Sequence, residues 1–194
     1  MIEPSNLSLQ DARLLLSSRM QGFTDALSEC QKIWNEKYAF AQMTLDDSAR
    51  ANIINQHWYA FTRTKFGTDA GIVFSKDQSQ RYIVVDEKAI IRFKLFNNQL
   101  HTSNYPTNHQ QDWKLQIPMP GLPPCARLNY GYRMDITGIK IRDAFVILPQ
   151  GSINEWVWQT SGEPIDTFGF QIPLRETDIS IPTVYAYDNY PLGE

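Results

Sequence analysis

One segment of the sequence places charged or polar side chains at nearly every second position, directly behind a loop with four prolines. In residues 127–137, Arg127, Asn129, Arg133 and Asp135 fall on one face of a predicted strand. The alternate positions are apolar or aromatic and are predicted to face a core. Arginine side chains bind phosphate oxygens and stabilise the charge that develops during phosphoryl transfer. The segment therefore predicts an anion-binding or catalytic patch on its polar face.

Two further segments add candidates to this patch. Arg92 and Lys94 share the polar face of an earlier predicted strand, so they would join the two arginines if both strands belong to one sheet. His101 and Tyr105 lie in the intervening polar loop and can carry protons without a metal. The predicted catalytic residues are Arg133, Arg127, Tyr105 and His101, and the predicted binding residues are Arg92, Lys94, Asn129 and Asp135.

A purely structural interpretation competes with this one. A solvated sheet face also carries alternating charges, and Arg133 and Asp135 would then be a same-face ion pair worth well under about 1 kcal/mol. Gly131 lies at the centre of the face and leaves room for another group to approach the backbone. The sequence leaves both interpretations open.

Standard catalytic and cofactor motifs are missing from the sequence. It has no Walker-type phosphate loop, no dinucleotide-binding glycine pattern and no Gly-x-Ser-x-Gly nucleophile turn. Asp86, Glu87 and Lys88 are adjacent, without the spacing of a metal-dependent nuclease, and His101 and His109 have no third ligand at a fixed spacing. The sequence therefore predicts no cofactor and no metal site, and it does not decide whether the protein is an enzyme.

The first third of the chain has a helical period. Large apolar side chains recur every three or four residues and predict a helix over 8–38, with Ser8 and Asp11 at its N-terminal cap. Gly22 is the position at which so long a helix could break. A second amphipathic helix is predicted over 45–66.

From residue 70 the period of the apolar pattern changes to two, which is typical of strands. Hairpin turns are predicted at Asp86–Lys88 and at Thr137–Gly138. The segment 100–113 is rich in Asn, Ser, Thr and Gln and is predicted to be a polar loop.

Helices followed by antiparallel hairpins are typical of an α+β domain. We predict one domain over 1–194, in which N-terminal amphipathic helices within 8–66 pack on a mainly antiparallel β-sheet of hairpins within 70–160. The segment 161–194 is predicted to be irregular and acidic.

Composition and charge limit the class of protein. The chain has 194 residues, of which 42% are hydrophobic and 20% charged, as in a globular domain. Its net charge of −3 combines −1 over 1–80, +5 over 81–142 and −7 over 143–194. Either the acidic end folds over the basic middle, or the basic middle binds a polyanion. The absence of a long apolar run and of a secretory pattern, together with two cysteines in no metal spacing, predicts a cytoplasmic protein without membrane contact.

Five short segments within 50–151 carry a further resemblance. They are RANI (50–53), IIRFKLF (90–96), SNYPT (103–107), PMPGLPPCARLNYGYRMD (118–135) and ILPQG (147–151). They resemble a family of small bacterial proteins encoded beside helix-turn-helix regulators with a zinc-peptidase-like domain. The resemblance implies one component of a two-protein toxin–antitoxin or phage-defence module, with a cognate protein partner, and it assigns no catalytic residue. Together with the cationic face, it predicts a toxin-like effector whose target is nucleic acid or a nucleotide.

A second hypothesis belongs to a different class of protein. The chain could be a non-enzymatic interaction protein, or a phage accessory or inhibitor protein, that docks on a partner through its acidic C-terminal segment. Aromatic residues near the C-terminal end are as compatible with a homodimer interface as with a core. They are Trp156, Trp158, Phe168, Phe170, Tyr185 and Tyr187.

Overall fold

The fold is described from a computed structural model, which describes residues 7–42, 44–77, 80–102 and 107–162. Within these residues the helices are α1 (Leu9–Lys37), α2 (Asp47–Phe66) and α3 (Asn108–Lys114), with a 3₁₀ turn at Ala39–Ala41. The strands are β1 (Ile72–Asp77), β2 (Gln80–Val85), β3 (Ala89–Leu95), β4 (Ala126–Met134), β5 (Ile141–Gln150) and β6 (Ile153–Ser161). No helix among the described residues is long and apolar enough to cross a membrane.

Helix α1 begins where the sequence predicts. The Ser8 hydroxyl accepts a hydrogen bond from the Asp11 backbone N–H at 3.1 Å and donates one to the Asp11 carboxylate at 2.6 Å. The first of these bonds satisfies one of the backbone N–H groups that have no partner within the first turn of the helix. The helix continues unbroken through Gly22, and the Phe66 ring of α2 packs where a β-carbon at this position would stand. The predicted weak point is therefore a close contact between the two helices.

The six strands form one sheet in the order β1-β2-β3-β4-β5-β6. Neighbouring strands are antiparallel except β3 and β4, which pair in parallel from Ala89–Ala126 to Leu95–Tyr132. The predicted α+β class, with N-terminal helices and a mostly antiparallel sheet, is confirmed.

Parallel strands need a long crossover connection, and this chain supplies it between Leu95 and Ala126. The crossover contains α3, where the sequence predicts only a polar loop. That prediction is wrong for 108–113 because the Thr107 hydroxyl caps the helix by accepting from the Gln110 backbone N–H, and because Trp113 is fully buried. One capping residue and one anchoring ring hold a helix of seven residues.

Both faces of the central strands are covered. Helices α1 and α2 pack on the face that carries Leu128, Tyr130 and Tyr132. The crossover packs on the opposite face, where Trp113 and Met119 join side chains of β2 and β3. Each position of β4 from Ala126 to Arg133 is buried as a result.

The predicted exposure of the polar face of β4 is wrong. The exposed fractions of Arg127, Asn129 and Arg133 are 3%, 3% and 7%. Gly131 does leave room at the backbone, but the ring of Phe96 occupies that room. The period-two pattern assigns the residues of β4 to the correct faces. The residues that bury the second face belong to the crossover, about 20 residues upstream, so the pattern within β4 does not reveal them.

The proline loop docks against the sheet through Gln116. Arg127 lies opposite Pro149 in the continued β4–β5 register, and Pro149 has no N–H to donate. The Gln116 carboxamide fills this gap, since Oε1 accepts from the Arg127 N–H at 2.8 Å. Its Nε2 donates to the carbonyl oxygens of Arg127 at 3.0 Å and Pro149 at 3.1 Å.

We expect Gln116→Glu to destabilise the protein at neutral pH, because a carboxylate cannot donate to the two carbonyl oxygens. The cost of such unsatisfied buried groups is about 2 kcal/mol, or about 4–8 °C in Tm. The folded protein favours the protonated form of the new carboxyl, so its pKa rises above the ordinary value of about 4.3. Stability should therefore be retained near pH 4–5 and fall as the pH rises. Gln111→Glu, on the exposed side of α3, is the control for thermal melts at pH 5 and pH 8. Equal losses of Tm in the two variants would contradict the role of Gln116.

Candidate anion-binding cleft

Strands β2 and β3 separate along part of their length. They pair only where Ile83–Val85 meets Ala89–Ile91. Beyond this point β2 stays paired with β1, and β3 stays paired with β4. Because β2 stays with β1 and β3 stays with β4, the two strands move apart and a gap opens between Arg81 and Phe93.

The gap forms the floor of a cleft, and helices α2 and α3 form its walls. The cleft has a volume of about 190 Å³. Its lining combines cations, side-chain amides and two aromatic rings, and among the described residues it includes no carboxylate. The lining residues are Asn52, Asn55, Gln56, Tyr59, Arg81, Arg92, Phe93, Lys94 and Gln110.

Arg92 is held rigidly at the wall of the cleft by α3. Its guanidinium carbon lies 3.8 Å from the centre of the Trp113 ring, which is a close cation–π contact. Its Nη2 donates to the Gln110 Oε1 at 2.7 Å. Burial, with a further contribution from the charge of Arg127, lowers the pKa of Arg92 to about 9. An anion in the cleft would offset this unfavourable burial of charge.

Lys94 lies two residues further along the same face of β3 and is half-buried. Burial lowers the pKa of its amine to about 7, and the charge of Arg92 adds to the effect. Near neutral pH the amine therefore exists in both protonation states. It can neutralise a bound anion when protonated and accept a proton when neutral.

Arg81 and Tyr59 form the outer edge of the cleft. The Arg81 guanidinium carbon lies 5.9 Å from the centre of the Tyr59 ring, and the Tyr59 hydroxyl donates to the Ser75 carbonyl oxygen at 3.2 Å. Burial raises the pKa of Tyr59, against the opposing charges of Arg63 and Arg81, so it stays a neutral phenol. Asn55 adds a buried Oδ1 without a hydrogen-bond partner among the described residues.

The structure divides the predicted site residues among several places. Arg92 and Lys94 line the cleft. Arg127 and Asn129 lie beneath the crossover, where the Arg127 Nη1 donates to the Ile117 carbonyl oxygen and the Asn129 Oδ1 accepts from the Trp113 indole N–H at 3.1 Å. Burial lowers the pKa of Arg127.

Arg133 forms a buried ion pair with Asp143, not with Asp135. Its Nε and Nη2 donate to the two carboxylate oxygens of Asp143 at 2.8 and 2.6 Å. The Asp135 carboxylate instead accepts from the Thr137 hydroxyl and from backbone N–H groups in the β4–β5 turn. These contacts give both residues a structural role.

The remaining predicted residues are not brought to the cleft by the described structure. His101 is exposed at the start of the crossover, and its backbone pairs with Asn97. Tyr105 and most of the acidic segment 161–194 lie outside the described residues. The catalytic roles proposed for these side chains stay predictions.

The sequence interpretation missed Arg81, Tyr59, Gln110 and the amides of α2. The sequence does contain one pattern that indicates the residues of α2. Polar side chains recur there at helical spacings of four, three and four residues, at Asn52, Gln56, Tyr59 and Arg63. This polar stripe lies beside the apolar stripe of α2 and was hidden by it.

Comparison with protein-family models, with curated proteins and with solved structures finds no match. Among the described residues, no group of three or more His, Cys, Asp or Glu side chains is placed to hold a metal ion. Function is therefore inferred from the geometry and charge of the cleft.

We expect Arg133→Ala to destabilise the protein by about 3 kcal/mol, because it leaves the Asp143 carboxylate, with a side-chain exposure of 5%, without its bidentate partner. Arg142 also reaches Asp143, at 3.1 Å, but its side chain is 46% exposed. Arg142→Ala is the matched control and should cost less than about 1 kcal/mol. Chemical denaturation of both variants measures the difference, and similar losses would contradict the assignment.

We expect Lys94→Met to raise the thermal stability, most strongly at low pH. The pKa of Lys94 is depressed in the folded protein, so the folded state disfavours its charge fully below about pH 7 and progressively less as the pH rises toward 10.5. A gain of about 1 kcal/mol corresponds to about 2–4 °C in Tm. Melting curves at pH 6 and pH 9.5 test this, with Lys88→Met in the exposed β2–β3 turn as the control. An equal gain at both pH values, or a loss at pH 6, would show that burial of the charge is not the cause.

Proposed function

We propose that the protein is the toxin-like effector of a two-protein bacterial toxin–antitoxin or phage-defence module, and that it acts on nucleic acid or nucleotides at the cleft between β2, β3 and α2. The two-protein module is what the sequence resemblance implies, and the single observation that carries the proposed site and its ligand class is the composition of the cleft. Arg81, Arg92 and Lys94 converge there, and no carboxylate among the described residues lines it.

The electrostatics of this arrangement favour a phosphate group. Low-dielectric walls concentrate the field of the cations inside the cleft and attract anions over a distance. Arg92 is already oriented by Trp113 and Gln110, so binding costs little side-chain entropy. Asn52, Asn55 and other lining amides can donate and accept hydrogen bonds, as the edges of nucleobases require.

A reaction at this site would use proton transfer and charge stabilisation by side chains. Lys94 has the pKa expected of a proton acceptor near neutral pH. Arg92 and Arg81 would stabilise negative charge on the phosphate oxygens. Lys94 serves recognition when it is protonated, because the ammonium group then neutralises charge on the bound anion.

The cognate partner of such an effector would inhibit it most directly by covering the cleft. Three cations in one cleft favour a partner surface that presents carboxylates to them. This fits a module in which the partner protein suppresses the effector until stress or infection removes it.

Induced expression of the protein alone in a bacterial host should slow growth, and co-expression with the protein encoded by the neighbouring gene should restore it. Arg81→Gln and Lys94→Met should relieve the inhibition, whereas Lys88→Gln removes a cation outside the cleft and should not. Culture density is followed together with the integrity of RNA, DNA and the nucleotide pool. Full inhibition by both cleft variants at wild-type protein levels would refute the assignment to this cleft.

A further inference from the structure

A second depression continues the cleft along the outside of α2. Its lining residues are Gln56, Tyr59, Ala60, Arg63, Thr64 and Arg81. Three of these residues also line the cleft itself, so the two spaces meet at Gln56, Tyr59 and Arg81. The space around Arg92 and Lys94 is termed the inner cleft, and the space that reaches Arg63 is termed the outer groove.

One polar stripe of α2 forms a wall of both spaces. Asn52, Gln56, Tyr59 and Arg63 share a face of the helix because they are spaced by four, three and four residues. At about 1.5 Å of rise per residue, the stripe is about 16 Å long. In a stacked strand with about 3.4 Å per nucleotide, this length corresponds to about four or five nucleotides.

Cations follow one another along this path. Lys94 and Arg92 lie in the inner cleft, Arg81 at the junction and Arg63 in the outer groove. Within the described part of the chain, Arg81 and Arg63 make no ion pair, whereas Lys65 on another side of α2 pairs with Asp25 at 3.7 Å. Arg81 and Arg63 are thus available to successive phosphates beyond the inner cleft that Arg92 and Lys94 line.

An aromatic ring lies between these cations. Tyr59 lines both spaces, and its ring contacts Arg81 on one side and Phe74 edge-on at 5.5 Å. Cations that follow a strand's backbone, with an aromatic ring among them for a base to stack on, are typical of proteins that bind single-stranded nucleic acid.

We propose that the ligand of this site is a single strand of nucleic acid several nucleotides long, with one nucleotide in the inner cleft and its neighbours along the outer groove. This inference rests on the proposed function and specifies its ligand. A duplex cannot place a backbone segment in an inner cleft of about 190 Å³, whereas a single strand can bend its backbone inward. A free nucleotide would leave Arg63 without a role.

Binding of labelled strands of two and ten nucleotides tests the inference, with RNA and DNA of the same sequence as separate arms. A mononucleotide and a ten-base-pair duplex serve as competitors. We expect the ten-nucleotide strand to bind at least about tenfold more tightly than the two-nucleotide strand, with a steeper salt dependence. RNA that binds more tightly than DNA would identify the 2′-hydroxyl as part of recognition.

Arg63→Gln and Lys65→Gln form a matched pair on one helix. Arg63→Gln should weaken the ten-nucleotide strand about three- to tenfold and reduce its salt slope by about one, without affecting the mononucleotide. Lys65→Gln should leave both ligands unchanged. Lys94→Met should weaken both, because both reach the inner cleft.

Each contrary result has a distinct meaning. Equal binding of the two- and ten-nucleotide strands, equal effects of Arg63→Gln and Lys65→Gln, or equally strong competition by the duplex would overturn the extended single-strand ligand. In those cases the proposed function would still be supported if the protein binds a mononucleotide and Lys94→Met abolishes that binding. Failure of every nucleic acid and nucleotide to bind would overturn both.

Discussion

The parallel pairing of β3 and β4 is the constraint on which the rest of the structure depends. Two parallel neighbours cannot be joined by a tight turn, so the chain between Leu95 and Ala126 must cross over the sheet. That crossover closes the second face and buries β4 on both sides. Gln116 and Trp113 fasten it, one to the backbone of β4 and the other to Asn129. A polar strand face thereby becomes part of a second core.

The same crossover also shapes the candidate site. Helix α3 supplies Trp113 and Gln110, which orient Arg92 toward the gap between β2 and β3. Helix α2 supplies the opposite wall, and its Trp58 stacks on Phe93 at 4.0 Å on the other side of the same strand. The cleft is therefore held by packing on both faces of the sheet. This rigidity suits a site that must orient a charged ligand without reorganising.

Features that depend on neighbouring residues were predictable from the sequence, whereas burial by segments distant in the sequence was not. The Ser8 cap, the two long helices and the alternation of β4 depend on neighbouring residues, and the structure shows all three. The burial of Arg127, the pairing of Arg133 with Asp143 and the short helix α3 depend on contacts between distant segments. Arg92 and Lys94 were found because they share one strand face. The α2 stripe was missed because it lies beside the apolar stripe of the same helix. The separation of β2 from β3, which opens the cleft beside it, leaves no periodic trace in either strand.

The burial of two cations beside each other is costly for the fold. Burial depresses the pKa of both Arg92 and Lys94, so each charge is less favourable in the folded protein than in water. Apolar side chains could close the gap, and a carboxylate could neutralise it, but the described lining has amides and a third cation instead. An anion that entered such an arrangement would stabilise it, because its charge would add to the contacts that Gln110 and Trp113 already make with Arg92. The electrostatic cost of burying Arg92 and Lys94 in the free protein would thus favour the binding of an anionic ligand such as the proposed phosphate.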